Sequence, residues 1–292
     1  MVDTPYFHVD VFAAGPLRGN GLAVFLDTDG WSAGAMQRIT QEMRQFESIF
    51  LSGISPTGAA ARVFTVEEEL PFAGHPVLGA AAVLHRALAP NAPSHEWTLQ
   101  LAHGPIAVRT ERRDGHWLAE MNQGQAVYGA AVGMAELQPI LERLSLTAED
   151  LAPGLPARVV STGLPYLIVP VRPEALARTS IQGHDLEERL ATLGAKFVFV
   201  FDAANRELRT WDNLGRVEDV ATGSAAGPAA AYLFAEGLAD LGLPVELAQG
   251  RFAGRPSRIE VQRRSDGELL VRGAVWPVCR GSVELAIGEL NR

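Results

Sequence analysis

The chain has 292 residues, of which 47% are apolar and 20% charged, so it can bury the core of one large domain or two smaller ones. Its formal charge of −9, without long lysine or arginine clusters, excludes the electrostatic pattern of a nucleic-acid-binding protein. Its single cysteine, Cys279, excludes an intramolecular disulfide framework and a cysteine-rich metal site.

The chain also lacks the patterns of export and membrane insertion. Its N-terminal sequence has no basic segment of the signal-peptide type, and its longest nearly apolar run, 225–235, is shorter than the roughly 18 residues of a membrane span. We therefore expect a cytoplasmic protein in a reducing compartment that binds neither membranes nor nucleic acid. Cys279 is expected to be a small apolar filler.

The first half of the chain predicts an antiparallel sheet that two helices interrupt. Apolar alternation or short apolar runs predict strands at 6–12, 22–26, 61–65, 97–101, 106–110 and 117–122. The first helix is predicted over 32–45, with Ser32 as its N-cap and Met36, Ile39, Thr40 and Met43 on one face. The second runs from Pro76 to about Leu88. Its first nine residues have no polar face, so we expect it to lie inside a sheet.

The second half repeats this plan. Strands are predicted at 158–161, 166–171, 196–201 and 207–211, followed by an apolar helix over 225–236. Four further strand candidates lie between Pro244 and the end of the chain.

Both apolar helices follow an acidic residue and a glycine with a polar neighbour, which indicates a duplicated domain. Gly74 and Gly223 lie 149 residues apart, close to half of the chain. The boundary is predicted within 124–133, and we assign the domains as 1–127 and 128–292, with the final strand free to return to the first domain. Chance similarity of two Ala/Gly-rich helices is the alternative.

The two helix starts are candidate anion sites, because the first backbone N–H groups of a helix are free and the positive end of the helix dipole lies behind them. His75 and Ser224 can donate hydrogen bonds there, and Asp219 lies a few residues upstream of Ser224. Neither segment has the Gly-rich run with Lys of a phosphate loop, so small carboxylates are the favoured ligands.

Glu47 is a candidate general base, since it interrupts the apolar segment Phe46-Glu47-Ser48-Ile49-Phe50. Burial raises a glutamate pKa from about 4.3 towards neutrality, which suits proton transfer. Less specific interpretations stay open: Glu47 as an exposed strand residue, His75 as a helix-capping residue, and Asp219 as a turn or capping residue.

Five segments together resemble the phenazine-biosynthesis isomerase (PhzF-like) family. They are FAAGPLRGN at 12–20, ESIF at 47–50, ELPFAGHP at 69–76, EDVATGSAAGP at 218–228 and GRPS at 254–257, in collinear order over nearly the whole chain. The resemblance implies an α+β fold of the diaminopimelate-epimerase type. In that fold two pseudo-symmetric domains each wrap a sheet around a central apolar helix, with the active site in the cleft between them. It also implies a homodimer.

The same resemblance implies the chemistry. Glu47 would be the acid/base that moves a proton between carbons of a cyclohexadiene carboxylate, without cofactor or metal. Its catalytic partners would be His75 and Asp219. Ser224 and Asn20 would bind substrate, and the backbone at Gly74 and Gly223 would hold the substrate carboxylate.

Three departures from the family pattern leave the phenazine substrate itself open. Gly21 and Val66 stand where the family usually has proline, and 210–213 reads TWDN instead of an aromatic-x-Pro segment. Two other functions are alternatives: an amino-acid racemase or epimerase, and a non-catalytic binding protein on the same fold. In the wider superfamily racemases use two cysteines at the helix starts, where this chain has Ala73 and Thr222.

Overall fold

The computed structural model describes residues 4–284, which form two compact units. The first contains the described residues up to Met121 together with those from Arg272 onward, and the second is Asn122–Val271. Compactness does not test duplication, so the domain boundaries inferred from the repeat stay a prediction.

The described residues contain six α-helices: α1 Ala33–Met43, α2 Gly74–Leu88, α3 Met134–Arg143, α4 Pro173–Arg178, α5 Leu186–Thr192 and α6 Gly223–Ala235. The strands are β1 Thr4–Val11, β2 Asn20–Phe25, β3 Glu47–Ser55, β4 Gly58–Thr65, β5 Glu69–Leu70, β6 Ser94–Leu101, β7 Gly104–Arg112, β8 Trp117–Gln125, β9 Val127–Ala131, β10 Arg158–Ser161, β11 Pro165–Pro170, β12 Phe197–Asp202, β13 Glu207–Trp211, β14 Glu218–Asp219, β15 Val245–Gln249, β16 Ser257–Arg263 and β17 Glu268–Val283.

In the first unit the strands surround α2. β1 is antiparallel to β2, β2 parallel to β3, and β3 antiparallel to β4. β4 is antiparallel to β5 and parallel to β6, and β6 is antiparallel to β7. Every residue of α2 from Gly74 to His85 is buried, and the helix packs against β1, β2, β3, β6 and β7. The prediction of an apolar helix inside a sheet is confirmed.

Helix α1 packs on the other side of the same strands. The Ser32 side chain caps it by accepting a hydrogen bond from the backbone N–H of Ala35 at 3.2 Å, as predicted. Its buried face contacts an aromatic layer in which the rings of Phe25 and Phe50 stack at 4.7 Å.

In the second unit the strands surround α6. β10 is antiparallel to β11, β11 parallel to β12, and β12 antiparallel to β13. β13 is antiparallel to β14 and parallel to β15, and β15 is antiparallel to β16. Except for Ser224, α6 is buried from Gly223 to Phe234. A separate apolar cluster joins α3, α4 and α5 to β11 and β12.

The structure differs from the sequence-based predictions in the last strands, at Cys279 and in three additional helices. Of the region from Pro244 to the end of the chain, where four strands are predicted, residues 244–284 form three strands, because the 16-residue β17 continues past Pro277; residues 285–292 lie outside the described part. Val9 pairs with Pro277 while His8 pairs with Cys279, so a bulge at Val278 accommodates the proline. Beyond the bulge Cys279 is exposed, so the prediction of an apolar filler is wrong. Helices α3, α4 and α5 were not predicted.

None of the described helices is both long and apolar enough to cross a membrane.

Two glycine-to-alanine substitutions in helices should change stability in opposite directions. At Gly79 of α2 an added Cβ would lie 2.4 Å from Leu22 Cδ2 and 3.1 Å from Val11 Cγ2. We expect Gly79→Ala to lower the free energy of unfolding by about 1–3 kcal/mol through overpacking. At Gly34 of α1 the nearest atom is 4.0 Å away, so Gly34→Ala should raise it by about 0.5–1 kcal/mol. Urea denaturation of both variants measures this; equal stabilisation would contradict tight packing around α2.

Candidate active site

Glu47 begins β3 on the side of the sheet that faces α2. It pairs with Leu22 of the parallel strand β2, and Leu22 is the side chain that contacts Gly79 of α2. Paired residues on neighbouring strands share a face, so Glu47 lies on the face of the buried helix. It is 6% exposed, and the alternative of an exposed strand residue is therefore wrong.

The first turn of α2 brings His75 to Glu47. His75 is also 6% exposed, and its Nδ1 lies 3.1 Å from Glu47 Oε2 and 3.5 Å from Asn20 Nδ2. Three of the residues predicted for the site are thus adjacent. The predicted alternative of helix capping is not seen, because the N-cap position of α2 is Ala73, without a side-chain hydrogen bond.

Burial lowers the pKa of His75 to about 3, so its imidazole is neutral and carries one ring proton at ordinary pH. Nδ1 faces both Glu47 Oε2 and the Asn20 amide nitrogen. Nε2 is buried and has no hydrogen-bond partner within residues 4–284. The first turn of α2 therefore places a neutral imidazole beside a buried carboxylate.

At the start of α6 the predicted residues form a hydrogen-bonded turn. Asp219 Oδ1 accepts from the backbone N–H of Ala221 at 3.2 Å, and Asp219 Oδ2 accepts from the Thr222 hydroxyl at 2.5 Å. In both contacts the carboxyl oxygens accept the hydrogen bond. Thr222 is the N-cap residue of α6, and its side chain does not cap the helix.

Ser224 and Gly223 of the first turn contact residues that the sequence did not single out. The Ser224 and Tyr166 hydroxyls lie 2.7 Å apart, and the Gly223 carbonyl accepts from Gln123 Nε2 at 2.8 Å. Gln249 bonds to the Asp219–Thr222 turn. Tyr166, Gln123 and Gln249 each stand in or beside a predicted strand. A polar residue in such a position is a weak signal, because its partner lies far away in the sequence.

No group of three or more His, Cys, Asp or Glu side chains suited to holding a metal ion occurs in the described part of the chain.

Comparison with protein families gives one match over nearly the whole chain. A family described as phenazine biosynthesis-like protein (PhzC-PhzF) matches residues 9–281. The chain belongs to this family.

Individual relatives agree with the family match. The chain is 35% identical over 272 residues to the trans-2,3-dihydro-3-hydroxyanthranilate isomerase of Pseudomonas fluorescens, covering 91% of this chain and 93% of that protein. This chain is an isomerase.

Solved structures agree on the fold. A structure described as a "predicted epimerase" from Pseudomonas aeruginosa superposes with a TM-score of 0.91 at 52% identity, covering 97% of this chain and all of that one. A hydroxyproline epimerase from Agrobacterium vitis superposes with a TM-score of 0.58 at 13% identity, covering 98% and 94%. The fold is thus related to that of this hydroxyproline epimerase.

Acid should destabilise this protein through His75. Because the folded-state pKa of about 3 lies below the ordinary value of 6.5, the unfolded chain takes up a proton between these pH values and the folded protein does not. The stability from neutral His75 is present above pH 6.5 and is lost as pH falls, by about 1.4 kcal/mol per pH unit. Urea denaturation between about pH 4.5 and 7.5 should show a smaller pH dependence for His75→Gln than for the wild type. Equal slopes would contradict a buried neutral His75.

Proposed function

We propose that this isomerase moves a proton between two carbon atoms of a small cyclic carboxylate, with Glu47 as the group that removes and returns the proton. The observation that carries the proposal is the buried Glu47 carboxylate 3.1 Å from the neutral imidazole of His75 at the start of α2. A carboxylate shielded from water is a stronger base than an exposed one, which suits abstraction of a weakly acidic C–H proton.

The proposed step balances without a cofactor. One C–H bond breaks as Glu47 takes the proton, and its electron pair shifts through the ring towards the substrate carboxylate. A new C–H bond forms at another carbon when protonated Glu47 returns the proton, so the double bond moves and nothing is oxidised or reduced. The free N–H groups of Gly74 and His75 can stabilise the developing negative charge, because the positive end of the helix dipole lies there.

Asp219, Gly223 and Ser224 are proposed as substrate-binding residues. The Ser224 hydroxyl and the first N–H groups of α6 are donors for a carboxylate, whereas Asp219 is an acceptor for a hydroxyl or amino group. The substrate in the names of the curated relatives, trans-2,3-dihydro-3-hydroxyanthranilate, contains all of these groups and is the first compound to test.

We also propose that the two units arose by duplication and are pseudo-symmetric. The comparison of equivalent positions then supports a mechanism with one base, because only one unit has a carboxylate at the position of Glu47. The order of pairings from β1 to β7 is the same as that from β10 to β16: antiparallel, parallel, antiparallel, antiparallel, parallel, antiparallel. In that order β12 corresponds to β3, and its first residue is Phe197 where β3 has Glu47. Only the first unit supplies a carboxylate at this place.

An epimerase is the second candidate, because the structural relative at 52% identity is described as one. An epimerase with two thiol bases would need cysteines at Ala73 and Thr222, and the only cysteine of the sequence is Cys279. If this chain is an epimerase, it therefore acts through one base, Glu47.

Replacing Glu47 by glutamine should separate binding from turnover. Glu47→Gln keeps the size of the side chain and removes the proton acceptor, so kcat should fall about 10²–10⁴-fold while the fold is kept. The assay is isomerisation of trans-2,3-dihydro-3-hydroxyanthranilate in D₂O, with deuterium incorporation followed by NMR after dialysis against a chelator. Glu96→Gln, at an exposed strand residue of the same unit, is the control with wild-type activity.

Three outcomes of this assay would change the proposal. Wild-type turnover by Glu47→Gln would make Asp219 the candidate base. Deuterium uptake with inversion at one carbon and no double-bond shift would favour the epimerase. Loss of activity on dialysis, restored by a cofactor, would refute cofactor independence.

Loss of the Ser224 hydroxyl should weaken substrate binding. Ser224→Ala removes a donor proposed for a charged carboxylate, so KM should rise about tenfold or more and kcat should change less. Ser145→Ala is a matched control. The Ser145 hydroxyl, like that of Ser224, lies close to another hydroxyl, that of Ser180 at 3.0 Å, but it is exposed. An unchanged KM, together with unchanged anthranilate affinity in calorimetry, would remove Ser224 from the site.

A further inference from the structure

We propose that Gln249, the last residue of β15, is a positioning residue that holds the segment Asp219–Thr222 before α6. The hydrogen bonds that support this inference do not depend on any function, whereas its catalytic consequence rests on the proposed role of Asp219 and the α6 start. Gln249 is 1% exposed, so its side chain is enclosed by the protein.

Both ends of the Gln249 amide bond to the segment. Nε2 donates to the Asp219 carbonyl at 2.7 Å and to the Thr222 hydroxyl oxygen at 2.9 Å, while Oε1 accepts from the Thr222 backbone N–H at 2.9 Å. A backbone carbonyl can only accept and a backbone N–H can only donate, so these partners fix the orientation of the amide. Glutamine supplies the donor and the acceptor together, which neither glutamate nor an apolar residue does.

The contact with Gln249 also directs the Thr222 proton. Because the Thr222 hydroxyl oxygen accepts from Gln249, its single proton is left for Asp219 Oδ2, 2.5 Å away. Gln249, Thr222 and Asp219 thus form a chain of hydrogen bonds that ends on the carboxylate proposed to contact substrate. Through this chain of hydrogen bonds, the last residue of β15 positions the Asp219 carboxylate.

The neighbouring residue gives independent evidence of a built contact. Gly250 has a φ of +79°, and a Cβ there would lie 2.5 Å from the Val220 carbonyl oxygen and 2.3 Å from that of Arg255. Only glycine permits this approach of the chain after β15 to the centre of the Asp219–Thr222 segment. Gln249 therefore contacts this segment through its side chain, and Gly250 approaches it through its backbone.

The first experiment measures the positioning directly, without a substrate. Amide hydrogen exchange, followed by mass spectrometry, should be about tenfold faster or more in the peptide covering 219–224 of Gln249→Met, because the Thr222 N–H loses its acceptor. Tyr232→Phe is the matched control: Tyr232 lies in α6, and the change removes a part-buried hydrogen bond from its hydroxyl to the Pro156 carbonyl at 2.9 Å. Exchange in 219–224 should be unchanged in this control.

Unchanged exchange of 219–224 in Gln249→Met would overturn the proposal. If Gln249→Met does not fold, Thr222→Val replaces it, since this nearly isosteric change removes the hydroxyl from the same chain of hydrogen bonds. Faster exchange confined to this segment supports the proposal, and an equal increase throughout the unit contradicts it.

The second experiment tests the consequence for catalysis on trans-2,3-dihydro-3-hydroxyanthranilate. Gln249→Met and Thr222→Val should each lower kcat/KM about tenfold or more, and the double variant should lose little more than the larger single effect, because the two residues act as one unit. Thr222→Ser should regain most of the activity that Thr222→Val loses. Tyr232→Phe should match the wild type.

The outcomes separate the inference from the proposed function. Faster exchange with wild-type kinetics, or multiplicative losses in the double variant, would reduce Gln249 to a structural residue and overturn its positioning role. If the wild type itself does not isomerise the compound, the substrate in the proposed function is wrong, and the exchange experiment alone decides whether Gln249 holds the segment.

Discussion

The structure depends on two helices that have no polar face. Such a helix is stable only when other elements enclose it, and in each unit strands surround α2 or α6. Enclosure needs small side chains: at Gly227 of α6 an added Cβ would lie 2.3 Å from Gln123 Oε1. The sides of these helices are apolar, so their free backbone N–H groups at the first turn are the place where polar chemistry can be built.

Burial sets the charge of the His75 imidazole beside Glu47. A protonated imidazole 3.1 Å from Glu47 Oε2 would form a buried ion pair. Burial lowers the pKa of His75 instead, so a neutral imidazole lies beside the carboxylate. The unpartnered Nε2 of His75 has a cost of about 1–3 kcal/mol, of the kind that proteins retain at sites where a ligand supplies the missing partner.

The start of α6 has the opposite character. Asp219, Thr222 and Gln249 satisfy one another's hydrogen bonds within the protein. His75, in contrast, keeps a buried ring nitrogen without a hydrogen-bond partner within residues 4–284. The two helix starts therefore differ in how far their polar groups are satisfied by the protein itself.

The sequence by itself determined the elements whose cause is local. The apolar runs predicted α2 and α6, Ser32 predicted its own cap, and the strands at 158–161 and 207–211 were predicted with their observed bounds. Motif resemblance gave the family, and the site residues that it implies stay predictions. Their catalytic roles, the homodimer and the cytoplasmic location stay predictions.

Only the tertiary structure decided the properties that depend on neighbours distant in sequence. The sequence left open whether Glu47 is exposed or buried; it is buried because Leu22 and His75 are its neighbours in space. Pro277 was accommodated in a long strand because a bulge forms against β1. The Gln249 side chain donates a hydrogen bond to the carbonyl of Asp219, 30 residues away in the sequence. Hydrophobic periodicity reports which face of an element is buried, but the identity of a hydrogen-bond partner depends on strand register and packing, which a single sequence does not display.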